Sequence, residues 1–99
     1  MNHHGWIGYL RAGILFVKRF EPRADQPHAD MGCNVEVYCG ERFIELETLA
    51  PLSRLESGQS VTHVETWELY AGLDAPQTMD SVQRVVHAMG LQTHNRMVE

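Results

Sequence analysis

Basic residues are scarce in this chain of 99: eight Lys and Arg stand against 13 Asp and Glu, for a formal net charge of −5. No run of Lys or Arg is long enough to neutralise several phosphates, so nucleic-acid binding has little electrostatic support. Long apolar runs are missing too. None approaches the roughly 18 residues a membrane-crossing helix needs, and Met1 to Gly8 lacks the basic-then-apolar layout of a secretory signal. A cytoplasmic protein with no membrane partner is therefore expected. Cysteine is limited to Cys33 and Cys39. In one extended segment they would stand roughly 20 Å from each other, too far to bridge. They read as two buried free thiols, with an intermolecular disulfide as the alternative. There is no glycine-rich phosphate loop, and neither Ser53 nor Ser60 lies in a nucleophile motif.

What is present has the pattern of strands followed by one helix. "GILFVKRF", 13–20, is rich in β-branched and aromatic residues and reads as a strand. "EPRADQPHADMG", 21–32, with two prolines and a glycine, reads as a loop. "CNVEVYC", 33–39, alternates with period two, and a tight turn at Gly40 and Glu41 leads into an antiparallel neighbour over 42–49. "SVTHVETWELY", 60–70, is the longest strand candidate. Residues 71–77 serve as a linker. Val82, Val85, Val86 and Met89 then share one face of a helix over about 80–89, with Asp80 and Gln83 as its capping box and Gly90 as its stop. The expectation is a single domain over 1–99, mainly β, an antiparallel sheet or sandwich of at least four strands between about residues 7 and 70 with one short C-terminal α-helix.

Strand parity sorts the side chains into two faces. One carries Leu15, Val17, Cys33, Val35, Val37, Cys39, Ile44, Leu46 and Val64 and is the expected core. The other mixes Phe16, Phe20, Asn34 and Phe43 with Lys18, Glu36, Tyr38, Glu45, Glu47, His63, Glu65 and Trp67. The last eight are the candidate ligand-binding residues, because a concave site combines rings that supply contact area with a few polar groups that fix orientation. Glu45 and Glu47 also fit a solvated face paired with Lys18 or Arg42. His63 and Glu65, two apart, match no strong metal motif, so neither a metal nor another cofactor is expected.

The segments "YLRAGILFVKRF", "DMGCNVEVY", "IELETLAPL" and "SVTHVETWELY" together resemble successive strands near the carboxyl end of an uncharacterised bacterial family related to the galactose mutarotase-like β-supersandwich. The resemblance implies a partial supersandwich, a sugar-binding cleft on a large sheet, and Lys18, Glu36, Glu45, Glu47, His63 and Glu65 as its polar groups.

Three functional expectations follow. The first is a binding protein for a small polar ligand, a carbohydrate among the candidates, acting as a homo-oligomer. The second is a structural or interaction protein whose aromatic face, with Phe16, Phe20, Tyr38, Phe43 and Trp67, is an oligomer contact without a ligand. A mutarotase-like isomerase using His63 and a glutamate ranks below both, so the balance lies against an enzyme. A sheet carrying large apolar groups on both faces needs two covers, and one short helix supplies only part of one, hence the expected dimer or tetramer.

Overall fold

The computed structural model describes residues 1–73 and 78–91. Among the described residues five antiparallel strands form two sheets: β1 (Trp6–Arg11), β2 (Ile14–Arg19) and β5 (Thr66–Tyr70) in the order β1-β2-β5, and β3 (Val35–Cys39) with β4 (Ile44–Thr48) as a two-stranded hairpin. One helix, Met79–Ala88, follows. The mainly β fold matches the sequence expectation, but the two sheets do not close into a sandwich.

The first hairpin turns at Ala12 and Gly13, whose φ values of 53° and 79° are both left-handed. That is the backbone of a type I′ turn, whose twist matches the flanking strands. The strand expected over 13–20 is β2, and a complete strand precedes the turn, in register Tyr9↔Phe16 and Ile7↔Lys18. β5 then pairs with the far side of β2, Val17↔Glu68 and Lys18↔Trp67. Only its last five residues belong to the sheet, so the strand expected over 60–70 is shorter than its composition suggests.

One face of this sheet holds the core. Leu15 and Val17 are buried, and Leu91 closes over them, with Trp6, Leu10, Tyr70, Val85, Val86 and Met89 packed around. The helix lies on the sheet as its periodicity implies. Its N-cap is Thr78, whose hydroxyl accepts from the Ser81 amide while the Ser81 hydroxyl accepts from the Thr78 amide. This reciprocal box replaces the one expected at Asp80 and Gln83. At the other end Gly90, at φ 67°, lets the Leu91 amide reach the Val86 carbonyl and its own amide reach His87. That is a Schellman cap, which turns the chain so that Leu91 drops into the core.

Parity failed for several side chains. Val37, Cys39 and Val64, expected in the core, are exposed, whereas Phe20 and Asn34, expected on the mixed face, are buried. The reason is geometric: β3 and β4 belong to a different sheet from the one the helix covers, and Val64 precedes β5, outside both sheets. Phe20 lies one residue past β2, its amide bonded to the Gly5 carbonyl. Asn34 is tied to the start of the chain by a reciprocal pair with the Asn2 backbone at 2.7 and 2.8 Å. Both cysteines are free, Cys33 half-buried and Cys39 exposed, which corrects the expectation of two buried thiols. The expected 21–32 loop ends in a turn with Asp30, Met31 and Gly32 all at positive φ. The linker expected over 71–77 lies partly outside the described residues.

Candidate functional site

The face of the first sheet away from the helix carries Tyr9, Phe16, Lys18 and Trp67, cross-strand neighbours by register. The hairpin stands beside that face. Its hydrogen bonds fix which edge points there. Gly40 donates to Phe43 and Leu49 donates to Asn34, so the closely bonded pairs are 40/43, 38/45, 36/47 and 34/49. The backbone groups of Ile44, Leu46 and Thr48 therefore point away from β3, and the Lys18 ammonium donates to the outward Leu46 carbonyl at 2.6 Å.

Between β4 and the sheet lies an open groove of about 850 Å³, lined by Tyr9, Arg11, Phe16, Lys18 and Trp67 on one side and by residues 40–47 on the other. Phe16 and Trp67 meet edge to face with centroids 5.6 Å apart, and Lys18 Nζ lies 5.5 Å from the Trp67 ring centre. Arg11, Glu41, Arg42, Glu45 and Glu47 line the groove, and their side chains make no hydrogen bond or ion pair within the described residues.

At one end of the groove a polar network fastens the two sheets. Glu65 accepts from the Thr48 hydroxyl at 2.5 Å and from the Trp67 indole at 3.1 Å, and pairs with Lys18 at 3.5 Å. Thr48 has one hydroxyl proton, and it goes to Glu65. The 2.8 Å contact between Thr48 Oγ1 and His63 Nε2 thus requires the imidazole to donate from Nε2. Partial burial pushes the Glu65 carboxyl up, but the bonds from Thr48 and Trp67 and the charge of Lys18 outweigh it and hold the group below its ordinary 4.5. A carboxylate held ionised by three donors is a poor proton acceptor, and His63 presents a proton, not a lone pair, to the hydroxyl. The order His–Thr–Glu suits a fastening, not nucleophile activation.

Of the eight sequence candidates, Lys18, Glu45, Glu47 and Trp67 line the groove, and His63 and Glu65 form the fastening at its end. Glu36 and Tyr38 sit on β3 opposite Glu47 and Glu45 and do not line the groove. The Asp30 carboxyl beside Glu36, together with partial burial and the charge of Glu47, raises the Glu36 carboxyl above the ordinary 4.5. Sequence reasoning missed Tyr9, Arg11 and Thr48. The first two become readable once Ala12-Gly13 is taken as a turn, because alternation then puts Tyr9 and Arg11 on the Phe16 face; Thr48 carries no local signal. Among the described residues no group of His, Cys, Asp and Glu is arranged to hold a metal ion, and no helix is long and apolar enough to cross a membrane.

Compared with known proteins, the chain matches no family model, no curated protein and no solved structure.

Proposed function

We propose that this chain is a binding protein for a small polar ligand, a carbohydrate in class, which acts in the cytoplasm as a homo-oligomer. The observation that carries the reading is the groove itself. It combines the rings of Tyr9, Phe43 and Trp67 with two guanidinium groups and two strand carboxylates, Glu45 and Glu47, whose hydrogen-bonding capacity is unused within the described residues. Rings offer a flat apolar surface to the C–H face of a sugar, and carboxylates and guanidinium groups bond its hydroxyls. The resemblance of the strand segments to mutarotase-like sandwiches points to the same ligand class. Binding is favoured over isomerisation because the acid-base candidates His63 and Glu65 are engaged with Thr48.

Titration with monosaccharides and short oligosaccharides, followed by tryptophan fluorescence, tests the reading. Trp67 is 65% exposed and lines the groove, so its emission should change on binding, and Trp67→Phe should abolish the change and leave the Trp6 signal. Absence of any saturable response up to tens of millimolar would overturn it. A second reading, an interaction protein without a ligand, is favoured by one observation: Val37, Tyr38, Phe43, Trp67 and Leu69 are each more than half exposed. The buried Phe20 drops out of that surface.

A further inference from the structure

We infer that the outer edge of β3 pairs antiparallel with the same edge of a second copy, with Val37 opposite its own twofold mate. The inference rests on the self-association proposed above and adds the surface and the register. A two-stranded sheet of five-residue strands is marginal in water, and three or more strands are needed for independent stability. Pairing two hairpins through β3 makes one sheet of four, in the order β4-β3-β3-β4. The available area agrees. The chain exposes 7530 Å² at a mass of 11.3 kDa. A compact monomer of that mass exposes about 5,700 Å². The excess of about 1,800 Å² exceeds the roughly 800 Å² each partner buries in an interface of standard size.

The other edges are less suited. On β4 the outward Leu46 carbonyl is taken by Lys18, and on β1 the outward Trp6 carbonyl is taken by the Asn2 side chain at 2.9 Å. Paired with itself in full overlap, β5 would put Glu68 opposite Glu68. The β3 edge, Val35 to Cys39, holds no Lys, Pro or bulge, the devices that normally block an edge. Its outward backbone groups belong to Val35, Val37 and Cys39, because 36 and 38 are turned towards β4. Among the described residues these outward groups have no partner.

Charge and overlap select the register. Only registers that match 35, 37 and 39 with one another join outward groups to outward groups. A shift that sets Val35 opposite Val37 puts Glu36 directly against Glu36, a like-charge pair. The opposite shift leaves Val35 beyond the end of its partner. Centring on Val37 uses all five residues, sets Glu36 opposite Tyr38, and forms three bonded pairs with about six main-chain hydrogen bonds.

Sedimentation equilibrium on the full chain at micromolar concentration should report about 22.6 kDa, twice 11.3 kDa. Val37→Lys should return the mass to that of the monomer with the far-ultraviolet circular dichroism unchanged, because the Val37 side chain is 54% exposed and packs in no core. In a Cys33→Ser, Cys39→Ser background, Val37→Cys should give a disulfide-linked dimer on mild oxidation, since a bonded antiparallel pair places Cα atoms about 5.5 Å apart. A wild-type monomer would overturn the self-association and this surface together. A dimer that survives Val37→Lys and does not cross-link through position 37 would overturn this surface alone and leave self-association standing. Because Val37 lies outside the groove, ligand titration of the Val37→Lys monomer reads the binding proposal separately.

Discussion

Replacing Thr48 by Val tests the fastening between the sheets, since it keeps the shape of the side chain and removes only the hydroxyl. Two hydrogen bonds disappear, one to the Glu65 carboxylate and one from His63. A bond to a charged group contributes about 1.5–3 kcal/mol and a neutral one about 0.5–1.5. His63 is exposed and Glu65 only part-buried, so water recovers part of both, and the expected loss is about 1–2 kcal/mol. Unfolding entropy near 2.1 cal/mol/K per residue gives about 0.2 kcal/mol/K for 99 residues, and hence a fall in Tm of roughly 5–10 °C. Differential scanning calorimetry measures it. The second readout is chemical. Loss of the Thr48 bond should move the Glu65 carboxyl up towards 4.5, seen by carbon-detected NMR titration. A variant with unchanged Tm and unchanged Glu65 titration would show that Thr48 does not hold the sheets together.

Three further outcomes are expected. Ala12→Asn should stabilise the protein by about 1 kcal/mol in a denaturant melt, because Ala12 sits at φ 53°, where Asn-Gly is the preferred pair of a type I′ turn and a left-handed alanine is strained. Leu91→Ala should cost about 2–5 kcal/mol and release the helix, read as a loss of helical circular dichroism, because Leu91 is 1% exposed against Leu15 and Val17. The Glu65 pKa is depressed in the folded state, so its contribution to stability is complete above the unfolded value near 4.5 and fades as pH falls through the folded value below it. Acid melts should therefore show Glu65→Gln less stable than wild type at pH 7 and converging with it as pH falls through the depressed folded value.

The elements most legible in the sequence were those with an unbroken period. The alternation from Cys33 to Cys39 marks β3, the neighbour over 42–49 contains β4, and the valine spacing marks the helix to within a residue at each end. The first hairpin was hidden because Ala12 is a poor turn signal, and Gly13 alone suggested a strand start instead of a crossing. The site was half legible for a related reason. Parity tells which residues share a face within a strand but says nothing about which sheet that strand joins, so Glu36 and Tyr38 were grouped with Lys18 although β3 and β2 belong to different sheets. Thr48 joins His63 and Glu65 from 15 and 17 residues away, a contact created only when the end of β4 meets the segment that leads into β5.

The seating of Leu91 on the β1–β2 hairpin joins two segments that leave the ribosome at well separated times. When Arg19 has left the ribosome, the hairpin can form, but Leu15 and Val17 have neither β5 beside them nor the helix above. Roughly 70 further residues must be synthesised before their cover arrives, which at 5–20 residues per second takes about 4–14 s. During that interval the growing chain carries an uncovered apolar ribbon with two free edges, the form most prone to stray pairing with other chains, so its yield in the cell should depend on elongation rate and on holding chaperones more than its final stability suggests.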